Sequence, residues 1–167
     1  TDLRTAEMAH PEIINKIISE VENVAGNKFS YLAAALAQTG LLVYIPKGLK
    51  LDKPLFSKIS AGGKDTALLT QILVIADDDS SVTFVQEYAS LDSKNEEIFH
   101  AGLVDIIVGE RANVELVELL SWGDNVWDFS TKTIRVKNHG NVTWLFGNIG
   151  GKLVKNFQTL DLIGKEC

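Results

Sequence analysis

The feature that most constrains the fold of this chain is a repeat in its second half, where an apolar run, a polar turn and an alternating run recur. Val82, Val114 and Val142 mark the same point of three copies, at spacings of 32 and then 28 residues. The copies cover residues 72–85, 106–117 and 134–145. A repeat of this length is typical of proteins in which one structural unit stacks on the next.

After each polar turn, apolar and polar side chains alternate, which is the period of a β-strand with one buried face. The apolar positions are Val82, Phe84, Val114, Leu116, Val142 and Trp144. The positions between them, Thr83, Glu115 and Thr143, are expected to face solvent. Stacked coils would bury an apolar column that a single coil cannot bury alone.

The turns themselves are rich in glycine, asparagine and aspartate, which accept left-handed backbone or bond their own main chain. No helical pattern lies between the copies, which argues against an α/β solenoid. We therefore predict a mainly β fold, a right-handed parallel β-helix over residues 41–167. An antiparallel sandwich is the second choice.

Residues 1–40 are predicted to form a short helical segment before the β-helix. Pro11 suits the first position of a helix, and apolar residues follow it at helical spacing, namely Ile13, Ile14, Ile17, Ile18, Val21, Val24 and Ala25. Gly26 and Asn27 are a predicted helix end. A second helix is predicted over residues 28–38, ended by Thr39 and Gly40.

The stretch that follows the helices carries β and turn signals. Residues 41–45 predict a strand that Pro46 closes. Pro54 argues against a long strand in its vicinity. Residues 60–63 are rich in small residues and are predicted to form a loop.

A fourth copy of the repeat begins at residues 160–163, and its turn at 164–167 fits with a slip of one residue. The chain stops inside that turn, and a solenoid that ends in mid-repeat exposes apolar faces and unpaired strands. We therefore expect the native polypeptide to continue beyond Cys167, and the open coil favours dimerisation.

Composition excludes several classes of partner. The formal net charge of −6 disfavours binding to nucleic acid, and no cluster of lysine or arginine offers a site for an anionic membrane. The one cysteine, Cys167, cannot form an internal disulfide. No apolar run approaches the roughly 20 residues that span a bilayer. A cytoplasmic location is the simplest expectation.

Candidate metal ligands are few. His10, His100 and His139 are far apart in sequence, whereas a metal site needs converging ligands, so we expect three exposed or partly exposed imidazoles. Residues 77–79 are three aspartates without the spacing of a calcium-binding loop. They are predicted to be solvated turn acids.

Three glutamates could form a carboxylate pair of the kind that glycosidases use, namely Glu87, Glu115 and Glu118. Glu115 belongs to the outward row, whereas Glu118 belongs to the inward row, level with Gln86 and Phe146. Because a buried carboxylate requires a partner, we favour a structural, hydrogen-bonded role for Glu118 or a position at the end of a coil that reaches water.

Aromatic residues collect near the second and third copies, namely Trp122, Trp127, Trp144, Phe129 and Phe146. Residues 122–127 predict a bend with aromatic flanks that could stack a sugar or a partner, although packing against the helices is favoured. Residues 150–152 lack the full pattern of a phosphate-binding loop.

Several stretches together form a recognisable pattern, namely residues 27–36, 40–48 with their Tyr-Ile-Pro-Lys element, 53–55, 127–132 and 142–144. This pattern resembles the SufB/SufD family of iron–sulfur cluster assembly proteins. Ala34 stands where the family often has asparagine. The resemblance implies a β-helix core flanked by helical parts, of which the C-terminal helices dock the ATPase SufC. It also implies pairing of SufB with SufD, or of the chain with itself, and a cluster assembled on the complex.

The resemblance also concerns the residues of the cluster site. A mid-core cysteine of SufB would fall near residues 158–160, where this chain has none, so the chain resembles SufD more than SufB. Cys167 matches no family cysteine, and the other proposed ligands would lie beyond it. No catalytic, cofactor-binding or metal residue is therefore assigned within this chain, and no cofactor is expected in it.

The resulting hypothesis is an N-terminal fragment of a non-catalytic scaffold subunit, which acts with a SufC-type ATPase. One alternative is a carbohydrate-active β-helix enzyme, which predicts clustered outward acids. Another is a β-solenoid adaptor without any link to a metal.

Overall fold

The computed structural model of the protein describes residues 1–15, 26–91 and 96–167. Its nine strands are β1 (Thr39–Ile45), β2 (Leu55–Ala61), β3 (Thr66–Ala76), β4 (Ser81–Ser90), β5 (Ile98–Val108), β6 (Asn113–Ser121), β7 (Val126–Val136), β8 (Asn141–Asn148) and β9 (Leu153–Leu162). One sheet has the order β1-β3-β5-β7-β9 and the other β2-β4-β6-β8. Every pairing between these nine strands is parallel, so the chain winds as a parallel β-solenoid, as predicted.

The valines that marked the repeat lie in register on neighbouring strands. Val82 pairs with Val114, and Val114 pairs with Val142. Val82 and Val114 are buried between the two sheets, whereas Val142 on β8 is partly buried against the same core. The predicted stacking is therefore confirmed.

The corners after β1, β3, β5 and β7 each contain one residue with left-handed backbone, three residues after the end of the strand. These residues are Gly48, Asp79, Arg111 and His139, with φ values of 74°, 59°, 54° and 56°. Each of them donates its amide to a carbonyl of the next coil at 2.8–3.1 Å. The corner at Gly48 adds a first coil, β1 with β2, that the sequence repeat did not reveal.

The slip of one residue predicted for the fourth copy is present. Lys165 donates its amide to Asn138 Oδ1, as Glu110 does to Asp78 Oδ1 in an earlier corner. The left-handed residue that follows is Glu166, with a φ of 54°. One extra residue thus separates β9 from this corner.

In the part of the chain that the structure describes, two helices with defined bounds precede the coils, α1 (Leu3–Ala9) and α2 (Lys28–Leu36). Residues 11–15 are also helical, and the part of the predicted helix at 16–25 lies outside the described residues. Gly26 and Asn27, which were predicted to end the first helix, are not helical. Asn27 caps the start of α2 by accepting from the amides of Phe29 and Ser30, because its short side chain satisfies free amides at a helix start.

Two predicted boundaries in the next stretch were wrong. α2 ends at Leu36 rather than at residue 38, and Thr39 and Gly40 already belong to β1. Ser60 and Ala61 were assigned to a loop, but they lie in β2. Pro54 stands immediately before that strand, where its missing amide removes no bond of the ladder.

The helices cover the outer face of the first sheet. The ring of Phe29 on α2 stacks on Phe129 of β7 with centroids 4.1 Å apart, and Asn27 donates to Thr131 Oγ1 at 2.9 Å. α1 contributes Leu3 and Ala6 to a second apolar cluster on this face. Within the described residues, no helix is long and apolar enough to cross a membrane.

Candidate functional site: a polar chain inside the coil

Polar side chains occupy inward positions of several strands, although apolar residues fill most of the interior. Six of them form what we call the polar chain: Thr70 on β3, His100 on β5, Glu118 on β6, and Asp128, Ser130 and Lys132 on β7. All six are buried. Buried polar groups of this kind require partners, because desolvation without a hydrogen bond is unfavourable.

His100 and Asp128 form the centre of the polar chain. They are register partners on adjacent strands, and His100 Nδ1 lies 2.6 Å from Asp128 Oδ1. Thr70 Oγ1 lies 3.0 Å from His100 Nε2, and the Ser130 hydroxyl donates to Asp128 Oδ1 at 2.6 Å. A neutral imidazole protonated at Nδ1 satisfies both sides, because it donates to Asp128 and accepts from Thr70.

The sequence of contacts Thr70–His100–Asp128 has the order of a nucleophile, a base and an orienting carboxylate. All three residues are fully buried, with 0% exposure. A substrate therefore has no route to the Thr70 hydroxyl in this conformation. The arrangement acts as a hydrogen-bonded tie between three coils.

Glu118 and Lys132 form a second buried contact, which joins the two sheets. Lys132 Nζ lies 2.6 Å from Glu118 Oε2 and 4.6 Å from the centroid of the Phe146 ring. Burial raises the pKa of the Glu118 carboxyl and lowers the pKa of the Lys132 ammonium, and the attraction between the two charges opposes both shifts. The predicted partner of Glu118 is thus a lysine from the opposite sheet.

Two aromatic rings lie beside the histidine. Tyr88 and Trp122 lie 5.5 Å and 5.0 Å from the His100 ring, between centroids. Burial, followed by the charges of Glu118 and Asp128, raises the pKa of Tyr88 well above its usual value. The Tyr88 hydroxyl therefore stays protonated and cannot serve as a base near neutral pH.

Two protein-family models match the amino-acid sequence of this chain. A model described as the SUF system FeS cluster assembly, SufBD core domain, matches residues 59–167. A second model, the SufBD protein N-terminal region, matches residues 1–56. The chain belongs to the SufBD family.

Curated relatives agree with this assignment. Proteins named iron–sulfur cluster assembly SufBD family protein are 32% identical in Staphylococcus saprophyticus and 31% identical in Staphylococcus aureus strain USA300, each over 164 residues. Each alignment covers 98% of this chain and 35% of the relative. The chain thus spans about a third of the length of these relatives.

The histidines of this SufBD chain only partly follow the sequence prediction. His10 and His139 are exposed, as expected. The prediction was wrong for His100, which is fully buried because it faces inward two residues from Ile98. Within residues 1–15, 26–91 and 96–167, no group of three or more metal-ligating side chains converges.

The acidic candidates are separated by the fold. Glu115 accepts from Thr83 Oγ1 at 3.0 Å, and Glu87 pairs with Lys58 at 3.0 Å, both on the outer face of the second sheet. Glu118 points inward, so it does not converge with them. A glycosidase-like pair is not formed.

The three turn aspartates contact protein groups. Asp79 pairs with Arg111 at 2.6 Å, and Asp78 lies 3.5 Å from Lys47. Asp77 Oδ1 accepts from the amide of Asp78 at 2.9 Å. The carboxylates therefore brace the corner of the coil.

The aromatic candidates have different roles. Trp122 was expected to pack against the helices, but it is buried inside the coil because it shares the inward row of Leu120. Phe129 does contact a helix through Phe29. Trp144 and Phe146 are near each other on β8, with centroids 6.5 Å apart, and Trp127 faces outward.

The position that the family resemblance assigned to a cysteine lies beside the polar chain. Gln158 on β9 is the register partner of Lys132 on β7. Residues 150–152 form a corner in which Lys152 pairs with Glu97. This contact gives no indication that residues 150–152 bind phosphate.

Four residues of the polar chain, Thr70, Asp128, Ser130 and Lys132, were missed at the level of sequence. A signal for three of them was present, because Asp128, Ser130 and Lys132 precede Ile134 by even numbers of residues and therefore share its inward face. The contact across the coil between Lys132 and Glu118 could not be derived from one strand alone.

Proposed function

We propose that this chain is part of a scaffold subunit of a SUF-type iron–sulfur cluster assembly complex, with no turnover of its own. The observation that carries the proposal is the match of the SufBD core domain to residues 59–167, the same residues that build most of the coil. In this role the coil holds cluster-forming groups at a subunit interface, and the iron–sulfur cluster is the cargo.

Two structural properties support a positional role. The strands stack in register in one sheet of five strands and one of four, which favours a rigid body. The Thr70–His100–Asp128 chain, the part of the interior that most resembles a catalytic group, is closed to solvent. Both properties suit a part that transmits motion rather than one that transforms a substrate.

The proposed partners are a SufC-type ATPase and a second SufB/SufD-type subunit, or a second copy of the same protein, in the cytoplasm. The absence of a cysteine at residues 158–160 favours the SufD-like type. Neither nucleic acid nor a membrane is proposed as a partner.

The experiment is co-purification of the full-length protein with the SufC-type ATPase of the same organism, followed by anaerobic reconstitution with ferrous iron and sulfide. We expect a stable complex that acquires the visible absorption of an iron–sulfur cluster, with the ATPase alone as the control. Failure to form a complex contradicts the partnership. A complex that stays colourless contradicts the assembly role and favours an adaptor.

A further inference from the structure

A groove lies on the outer face of the first sheet, away from the polar chain. It has a volume of about 350 Å³ and is lined by Asp65, Thr66, Ala67, Glu97, Phe99 and Trp127. Ala67, Phe99 and Trp127 are register partners on β3, β5 and β7. The small side chain of Ala67 beside two large rings leaves the hollow, whose floor is aromatic.

The edge of this groove already binds a cation from the same chain. Lys152 Nζ pairs with a carboxylate oxygen of Glu97 and lies 4.9 Å from the centroid of the Trp127 ring. The indole of Trp127 donates to the other oxygen of Glu97 at 3.1 Å. Hydrogen bonds from Lys152 and then Trp127 lower the pKa of Glu97. The Glu97 carboxylate is therefore ionised, and the hydrogen bond from the Trp127 indole fixes its position at the edge of that ring.

The internal cation is weakly bound. The side chains of Lys152 and Glu97 are 41% and 59% exposed, and exposed ion pairs of this kind contribute little to stability because solvent screens them. A cation from another molecule could therefore replace Lys152 at small cost. Asp65, which also lines the groove, supplies a second carboxylate.

We propose that this groove binds an arginine side chain presented by a segment of a partner protein. A guanidinium is planar, stacks on aromatic faces and donates to two carboxylates from one fork, whereas a lysine ammonium is a compact point charge. The floor of Phe99 and Trp127 with the carboxylates of Asp65 and Glu97 matches those properties. The inference does not depend on the assembly role proposed above.

The test uses two probes, the peptides N-acetyl-Gly-Arg-Gly-amide and N-acetyl-Gly-Gln-Gly-amide, titrated into the ¹⁵N-labelled protein. The readout is the indole Nε1–H signal of Trp127, assigned by Trp127→Phe. We expect saturable shifts with the arginine peptide and none with the glutamine peptide. Equal shifts with both peptides, or no shift with either, would overturn the proposal.

Two variants make the test specific. Lys152→Gln removes the competing cation and should tighten binding of the arginine peptide by about two- to fivefold, whereas Glu97→Gln should weaken it. Lys155→Gln is the matched control, because Lys155 lies over the ring of Phe157 and not in the groove. Binding that Lys152→Gln leaves unchanged or weakens would show that the groove does not exchange one cation for another.

Discussion

The interior of the coil has two regions that are built by different rules. One is an apolar column beside the repeat corners, made of Val82, Val114 and Val142 with Val74, Ile106 and Ile134. The other is the polar chain, centred on His100, Asp128, Glu118 and Lys132. The column needs side chains of suitable size, whereas each member of the polar chain needs one particular partner. This difference predicts that substitutions are tolerated better in the apolar column than in the polar chain.

The largest expected effect is the loss of one partner from the polar chain. Lys132→Ala should leave Glu118 as an uncompensated buried carboxylate, which costs about 3–5 kcal/mol of the free energy of unfolding. Urea denaturation measures it. The double variant Glu118→Leu/Lys132→Met removes both charges and should recover most of the loss. A loss of less than about 1 kcal/mol in Lys132→Ala would mean that the pair is solvated.

A second prediction extends the comparison to a buried carboxylate outside the polar chain. Asp105 is buried on the outer face of the first sheet, and burial raises its pKa to about 7, against the opposing charge of Arg135. The folded state thus keeps its proton to higher pH than the unfolded state. Stability should therefore fall as pH rises from the unfolded pKa near 4 towards 7, by on the order of 4 kcal/mol.

The matched variant for this effect is Asp105→Asn, which keeps the shape and removes the titration. Urea unfolding at several pH values should show a steeper decrease for the natural protein than for the variant over that interval. Parallel stability profiles for the two proteins would show that Asp105 is ionised in the folded state.

A third prediction concerns the apolar column. Val114→Ala removes two methyl groups from the centre of the column and should cost about 2 kcal/mol, through lost burial and the cavity that remains. Val114→Ile adds one methylene to the packed column and should cost about 1–3 kcal/mol through overpacking. Thermal or urea unfolding measures both. A cost for Val114→Ala close to zero would mean that Val114 is not enclosed by neighbours.

The smallest effect is expected at the corners, outside both regions. Arg111 pairs with Asp79 on the adjacent coil, but their side chains are 51% and 40% exposed. Arg111→Gln should therefore cost at most about 1 kcal/mol, and high salt should remove the difference from the natural protein. A cost that persists in high salt would indicate that the arginine contributes through packing.

The sequence was sufficient to predict the stacked coils but not the polar contacts inside them. Val82, Val114 and Val142 could be aligned because two-residue alternation and the polar corners are local patterns, and the same alternation placed Glu118 inside. The first coil escaped detection because Gly48 replaces the polar residues of the later corners. Lys132 and Asp128 also escaped, because a charged residue in an inward row is acceptable only beside a partner on another strand, and that contact depends on the stacking itself.

The stacking of the coils is the claim on which the rest depends, and methyl-to-methyl nuclear Overhauser effects test it most directly. Adjacent parallel strands lie about 4.8 Å apart, so selectively labelled valines should give contacts from Val82 to Val114 and from Val114 to Val142. Val82 and Val142 lie two coils apart, roughly 10 Å, and should give none. A direct contact between Val82 and Val142, or its absence between Val82 and Val114, would contradict the solenoid.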